Sequence, residues 1–426
     1  MAVAWSAEQI LALAPDASSQ KAARGLATPG PWRDTGHSAD PAALWGYCKG
    51  SGATPYQTCV DLAGPAYRCS CPSRKFPCKH ALALMLLWSA GSLPAAAPPE
   101  WVTQWLDARA ERQQKARATR APRTADPATG AKREKSIDAG VRELERWLTD
   151  QVRTGLAAIS RADYRHFDAM AARLVDAKAP GLAGAVRRLA SVAGVPERLF
   201  TEVSLLWLLV RAYQRRAELP SGLADTVRSR IGFPVATADV LAGPRVRDEW
   251  AVLGFRDEIE DRLTVRRVWL RGRSGRYALV LSFAAPGQPL PADLVPGTSI
   301  DASLCFYPGA RPLRALVADR HGDPAPLAPP AGVSVEDALR EYAAALADEP
   351  WLDRWPMVLG DVMPIEHDGW RLADPSGTAL PLAVDAAAFW RMVAACGGGP
   401  ATVAGEWTPE GFRPFSLWAE GRLVRP

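Results

Sequence analysis

Three cysteines and one histidine stand close together in the stretch RCSCPSRKFPCKH, residues 68–80. One residue separates Cys69 from Cys71, and one residue separates Cys78 from His80 after a gap of six residues. Thiolates and imidazole are the ligands that zinc takes in four-coordinate protein sites. The stretch therefore predicts a Cys3His metal site, and zinc is the ion that suits it.

The spacing also predicts which elements must position the ligands. Side chains two apart in a strand point to the same side, so an extended chain brings the sulfurs of Cys69 and Cys71 to one point. Residues two apart in a helix lie about 200° apart and do not converge. Cys78 should therefore lie just before a helix or at its first position, with His80 in the first turn. Four protein ligands leave no open position, which predicts one structural ion and no catalytic one.

Two other interpretations of the cluster are four unrelated residues and a redox pair. The spacing Cys-x-Cys differs from the Cys-x-x-Cys of redox motifs. Chance would also not supply the flanking elements. Residues 43–50 and 55–62, ALWGYCKG and PYQTCVDL, have the pattern of a β-hairpin, and residues 80–91, HALALMLLWSAG, that of a helix ended by a glycine.

This arrangement resembles the SWIM zinc finger, a ββα unit with Cys-x-Cys, a variable gap and Cys-x-His. Cys69, Cys71, Cys78 and His80 match that pattern, and the resemblance covers about residues 43–88. The chain also looks like bacterial SWIM-domain proteins that lack a transposase or kinase domain. The resemblance implies zinc binding, with DNA or protein binding as the suggested role, and implies little about the rest of the chain.

Four cations surround the predicted ligands, and residues 68–80 contain no acidic residue; the cations are Arg68, Arg74, Lys75 and Lys79. They are consistent with a face that contacts phosphates. They are equally consistent with charge compensation, because three thiolates and one Zn²⁺ sum to −1. The direction in which these side chains point would separate the two interpretations.

The other cysteines have simpler interpretations. Cys48 and Cys59 fall on the two strands of the predicted hairpin, and we expect small buried side chains there rather than extra ligands or a thiol pair. We expect the same of Cys305 and Cys396, which stand in apolar surroundings.

Composition excludes several classes of protein. The 426 residues carry a net charge of +5, and residues 107–135 alone hold nine Lys/Arg and four Asp/Glu, or 9 − 4 = +5. The longest apolar runs have eight residues, whereas about 20 are needed to span a bilayer. The amino-terminal residues lack the basic region of a signal peptide. We therefore expect a cytoplasmic protein that does not enter a membrane.

The fold class that the pattern predicts is multidomain α+β, with a ββα zinc module, a helical middle region and an antiparallel β-rich carboxyl-terminal half. The predicted units are an amino-terminal domain at 1–106, a mobile basic linker at 107–135, a helical region at 136–230, a β-rich region ending in a helix at 231–350 and a small α+β region at 351–426.

The function expected from these observations is non-catalytic. The sequence contains no GxSxG, HExxH, P-loop or GxGxxG pattern, so neither an enzyme nor a small-molecule substrate is predicted. The favoured hypothesis is that the zinc module binds DNA or RNA, with Arg68, Arg74, Lys75 and Lys79 as contacts. The alternative is an adaptor that binds a protein partner in a larger complex, with zinc purely structural.

Overall fold

The computed structural model describes residues 5–50, 52, 54–62, 66–73, 75–118, 127–159, 164–260, 263–285, 288 and 290–426. The fold is α+β, as predicted. It consists of a small sheet with flanking helices, a helical block, and two six-stranded sheets with two helices.

The amino-terminal block contains a four-stranded antiparallel sheet in the order β1-β2-β3-β4. The predicted hairpin is the pair β2–β3, whereas β1 was not predicted. The elements are α1 (Ala7–Ala12), α2 (Ala17–Leu26), β1 (Trp32–Ala39), β2 (Ala42–Cys48), β3 (Tyr56–Asp61), β4 (Ala66–Cys69), α3 (Lys79–Ser89) and α4 (Glu100–Ala118).

Both faces of this sheet are covered. The helix α3 is apolar on nearly all sides, and its Leu82 and Leu84 are buried in one cluster with Leu44 and Val60 of the sheet. On the opposite face, Val102 of α4 packs against Trp45 and Cys59. Alternate residues of each strand therefore point either to α3 or to α4.

A helical block follows, as predicted. Its elements are α5 (Pro127–Thr154), α6 (Leu156–Ile159), α7 (Tyr164–Asp176), α8 (Pro180–Val192), α9 (Pro196–Gln214), a 3-10 turn (Arg216–Glu218), α10 (Ser221–Ile231) and α11 (Thr237–Ala242). The buried face of α5 is formed by Ile137, Val141, Leu144 and Leu148, which stand at helical spacing.

The segment predicted as a linker, 107–135, is helical in the parts that the structure describes. Residues 107–118 belong to α4 and residues 127–135 belong to α5, while residues 119–126 lie outside the described part of the chain. The composition of this segment, charged and with prolines, favoured a mobile chain, whereas its described residues continue α4 and α5. The predicted limits of the other units stay a prediction.

The second sheet closes into a barrel. Its strands are β5 (Arg245–Glu260), β6 (Leu263–Gly272), β7 (Tyr277–Ala284), β8 (Thr298–Phe306), β9 (Arg314–Arg320) and β10 (Ala325–Pro326). The hairpins β6–β7 and β8–β9 are antiparallel, in agreement with the predicted antiparallel β-rich half. The long strand β5, which was not predicted, pairs with β6 and β8, and a parallel pair β7–β9 closes the ring.

The third sheet has the order β13-β12-β11-β14-β15-β16, with the predicted helices α12 and α13 packed against it. Ser334 and Asp385 cap these two helices by accepting hydrogen bonds from backbone N–H groups. The elements are α12 (Val335–Asp348), β11 (Trp355–Glu366), β12 (Trp370–Ala373), β13 (Ala379–Pro381), α13 (Ala386–Cys396), β14 (Ala401–Thr408), β15 (Gly411–Ala419) and β16 (Arg422–Val424).

The barrel contacts the helical block, through a hydrogen bond from Ala310 N–H to Thr226 of α10, and also the other two blocks. At Gly254 of β5, a Cβ atom would lie 2.4 Å from the ring of Phe415, so only glycine allows this strand to approach β15 so closely. On another side, Ala292 and Val295 of the β7–β8 connection are buried in the same cluster as α3. The amino-terminal block therefore rests on the barrel. No helix among the described residues is long and apolar enough to cross a membrane.

Candidate metal centre

The four predicted ligands converge at the junction of β4 and α3. Cys69 is the last residue of β4, and Cys71 follows two residues later, beyond the end of the strand. Cys78 is the N-cap of α3, and His80 lies in the first helical turn, as the spacing predicted. The sulfur atoms and one imidazole nitrogen all lie within 4.8 Å of one another. Cys71 thus lies in a loop rather than in a strand, and the loop directs its sulfur towards the other three ligands.

The donor set fits zinc. Bonds of about 2.3 Å to sulfur and about 2.0 Å to nitrogen in a tetrahedron place ligand atoms roughly 3.5–3.8 Å apart. The Sγ atom of Cys69 lies 3.7 Å from Nδ1 of His80, which agrees with that spacing. Cys69, Cys71, Cys78 and His80 would hold the ion and complete its coordination. The site is therefore suited to a structural ion.

Neighbouring side chains hold the ligands in place. The hydroxyl of Thr58, opposite Cys69 on β3, lies 3.2 Å from the Cys69 sulfur. The ring of Tyr56 packs against the imidazole of His80, with ring centroids 5.0 Å apart. Cys78 and His80 are almost fully buried, at 2% and 4% exposure. Such outer contacts fix the orientation of metal ligands before an ion binds.

The thiols of the cluster are coupled to one another. A hydrogen bond with Cys78 raises the pKa of Cys69 to about 12, with burial as the second cause, and the same bond lowers the pKa of Cys78. Burial raises the pKa of Cys71. Because the thiolate is the form that binds metal, ion binding here releases protons, and zinc affinity falls as the pH falls.

Comparison with known families agrees with this geometry. The SWIM zinc finger family matches residues 59–88, and the SWIM-associated four-helix bundle domain matches residues 132–231. The chain is a SWIM-domain protein. The resemblance found in the sequence is thus confirmed, and zinc binding by the Cys3His cluster follows from the family and the geometry together. No curated protein and no solved structure matches the chain.

The bundle match lies in a part of the chain for which the sequence alone gave only a helical pattern. It spans most of α5 and continues to the last residue of α10. The SWIM finger and its associated bundle are therefore both present, although the residues between α4 and α5, at 119–126, lie outside the described part of the chain.

The cations around the SWIM finger point in different directions. The ammonium group of Lys75 lies 2.6 Å from a carboxylate oxygen of Asp16 and donates to the hydroxyl of Ser18 at the start of α2. This contact, together with the Ser19 and Ser18 donors, holds the pKa of Asp16 well below its usual range. Lys75 thus joins the metal loop to α2.

Arg68 lies on the other side of the sheet. It is opposite Cys59 in the β3–β4 ladder, and Cys59 packs against α4, whereas the neighbouring pair Thr58 and Cys69 faces the metal site. Lys79 is exposed at the first position of α3, and Arg74 lies outside the described residues. Lys75 and Arg68 therefore belong to separate surfaces.

The remaining cysteines are buried, as expected. Cys48 and Cys59 are fully buried in the sheet, and burial raises their pKa values to about 11 and about 12. Cys305 and Cys396 are also buried, and burial raises the pKa of each thiol.

Three residues that support the site were not predicted from the sequence: Tyr56, Thr58 and Asp16. Thr58 could have been found from strand alternation, because it precedes Cys59 on a strand that pairs with the one ending at Cys69. Asp16 carried an N-cap signal, but no sequence pattern connects it with Lys75.

Proposed function

We propose that this SWIM-domain protein is a non-catalytic adaptor in which zinc orders the finger and the helical bundle binds a protein partner. The observation that carries the proposal is an apolar stripe on α9. Phe200, Trp207 and Leu208 are 61%, 38% and 43% exposed, although the other side of the helix is buried in the bundle.

The spacing of these residues places them on one face of the helix. Trp207 and Leu208 follow Phe200 by seven and eight residues, which is two helical turns, or about 10 Å along the axis. Ser204, four residues after Phe200, and Arg211, four residues after Trp207, are also exposed on this side of the helix. Large exposed aromatic side chains on one helix face are typical of protein interaction sites.

The test is affinity purification from the native cell with quantitative identification of the recovered proteins. The variant Phe200→Asp with Trp207→Asp should reduce recovery of a specific partner by more than about tenfold, because aromatic anchors dominate interface energies. Trp390→Asp is the matched control, since Trp390 is comparably exposed, at 57%, on α13 in another part of the molecule. The purified partner should bind the wild-type protein and the Trp390 variant with similar affinity, and the α9 variant more weakly.

Equal recovery by the wild-type protein and the α9 variant would overturn the adaptor proposal. The cytoplasm is the proposed location, in keeping with a reduced Cys3His site and cysteines that form no disulfide among the described residues.

The second candidate function is nucleic-acid binding by the SWIM finger itself. It is favoured by the exposed side chains of Arg68 and Lys79. Charge reversal at these two positions should abolish retention of DNA or RNA at low salt. Lys75 is unsuitable for this test because its reversal would also break the contact with Asp16. No retention by the wild-type protein would exclude the hypothesis.

A further inference from the structure

The barrel has the topology of a known ligand-binding fold. Its five main strands form a ring in the order β5-β6-β7-β9-β8, antiparallel except for the pair β7–β9. Counted along the chain this is 1-2-3-5-4, the strand order of the OB-fold. Such barrels bind oligonucleotides or oligosaccharides on the face of strands 2 and 3, between the loops 1-2 and 4-5. Topology alone does not establish function, so the residues must decide.

Most of that face is covered in this chain. Trp269, on the outer side of β6, is 1% exposed, and its indole N–H donates to Glu406 of the third sheet. The β8–β9 loop, residues 307–313, lies at one end of the barrel, and α10 contacts it through a hydrogen bond from Ala310 N–H to Thr226. A cavity of about 580 Å³ lies there, between this loop, the start of β7, α12 and the start of β11. Ligand sites have volumes of roughly 300–1,000 Å³ and often lie between structural units.

The cavity has an aromatic wall and a cationic rim. Tyr277 and Trp355 meet edge to face, with ring centroids 6.2 Å apart. Burial raises the pKa of Tyr277 to about 12, so the phenol keeps its proton. The indole Nε1 of Trp355 is buried and has no hydrogen-bond partner in the described part of the chain. Because this nitrogen is closed to solvent, the cavity offers a ligand the aromatic rings rather than this donor.

Two arginines at this end of the barrel, of which Arg276 lines the cavity and Arg314 is the first residue of β9, are oriented by stacking rather than by acids. The guanidinium of Arg276, which lines the cavity, lies 3.8 Å from the ring centre of Phe306. The guanidinium of Arg314 lies 4.1 Å from the ring centre of Tyr307. Neither arginine has an ion pair within the described residues, and both are exposed. Stacking leaves their N–H groups available to an incoming phosphate.

The acidic residues of the cavity limit where an anion can lie. Asp348 is paired with Arg311 at 2.7 Å, and both side chains are about half exposed, so the pair contributes little stability and can exchange with a ligand phosphate. Glu341 has no ion pair in the described part of the chain and would repel phosphate from the α12 side. The anionic part of a ligand should therefore lie along Arg276 and Arg314.

We propose that this end of the barrel binds single-stranded nucleic acid, with one unpaired base in the cavity and the backbone along Arg276 and Arg314. Aromatic faces and stacked guanidinium planes are the surfaces on which bases stack. A duplex has no unpaired base to place in a cavity. An acidic peptide would use the arginines but not the aromatic wall. This proposal does not depend on the α9 stripe.

The experiment measures fluorescence anisotropy of a labelled oligothymidylate with the full-length protein, as a function of salt. Arg276→Ala with Arg314→Ala should weaken binding about tenfold or more and lower the slope of log affinity against log salt by about 0.7 for each phosphate that is no longer neutralised. The matched control is Arg245→Ala with Arg273→Ala. It removes the same charge from two exposed arginines that are already paired with Asp319 and Glu249.

The proposal is supported if the first variant is weakened selectively and a duplex of the same length binds less tightly. It is overturned if the wild-type protein does not bind the single strand at low salt, or if both variants lose affinity equally. Tighter binding of a polyglutamate peptide than of the oligothymidylate would also overturn it, by assigning the arginines to an acidic protein.

Discussion

The SWIM finger and the β-rich half are held together by different means. The finger has a sheet of four strands with four to eight residues each, and its last strand and its central helix meet at the metal ligands. The β-rich half has strands of up to 16 residues and a network of buried charges between two sheets. In the finger, the metal ligands come from two adjacent elements and add to a packed core, whereas in the β-rich half, charged residues from distant strands must meet.

In the β-rich half, a network of buried charged residues joins the barrel to the third sheet. Glu406 is fully buried, accepts a hydrogen bond from Trp269 at 3.0 Å and binds Arg354 at 2.9 Å. Arg354 also binds Glu258 on β5, at 3.0 Å, which joins the barrel to the third sheet. Removing one partner of such a network leaves another charge buried without compensation.

The largest expected effect is at the metal ligands. Cys71→Ser should abolish zinc binding and unfold the finger, because structural zinc contributes about 10 kcal/mol or more to small zinc-dependent folds. Metal analysis should fall from one zinc per chain to none, and hydrogen exchange should rise over the amino-terminal block. Cys305→Ser is the control, and it should keep the zinc. Zinc retained by the Cys71 variant would contradict the assigned ligand set.

The next largest effect is expected in the β-rich half. Glu406→Gln removes the charge that Arg354 and Arg256 face, and we expect it to lower the free energy of unfolding by about 3–5 kcal/mol. Urea denaturation measures the loss. Glu420→Gln removes an equal charge from an exposed turn and should change stability by less than about 0.5 kcal/mol. Equal effects of the two substitutions would mean that the network does not hold the sheets together.

A smaller effect should reveal how strongly the two regions are coupled. Val295 belongs to the barrel side but is buried, at 1% exposure, in the cluster of α3. Val295→Ala should cost about 1–2 kcal/mol because the smaller side chain leaves a cavity. We expect faster hydrogen exchange in α3 as well as in the barrel. Exchange that changes only in the barrel would show that the finger is an independent unit.

The smallest effect is expected for the ion pair between α2 and the metal loop. Asp16→Asn keeps an N-cap residue but removes the charge that binds Lys75, so it should cost at most about 1 kcal/mol. Asp385→Asn, the same change at the N-cap of α13, is the control for loss of the charge at a cap. Hydrogen exchange of α2 and α13 compares the two.

The pH dependence gives a second measurement of this pair. The pKa of Asp16 is lowered in the folded protein, so its ionised form contributes stability above about pH 4, the value of a free carboxyl group. That contribution should disappear as the pH falls through the lowered pKa. A difference between wild type and Asp16→Asn that stays constant as the pH falls would exclude the ion pair as its cause.

Much of the local structure was predictable. The hairpins β2–β3, β6–β7 and β8–β9 follow from alternating patterns around short turns, and the start of α3 follows from the fact that Cys78 and His80 must converge. The strands β1 and β5 were missed because their polar and apolar residues do not alternate cleanly. Val152 continues the spacing of the buried residues of α5 but is 60% exposed, so helical spacing alone does not decide burial at the end of a helix.

The sequence by itself determined the metal ligands, the family and the elements on each side of the site. These features are local, since spacing within a few residues decides whether side chains converge on a strand or a helix turn. Only the tertiary structure decided that Lys75 turns to Asp16, that Arg68 lies on the opposite face, and that β7 and β9 close a barrel. Each depends on which distant residues meet across the fold, and no local spacing carries that information.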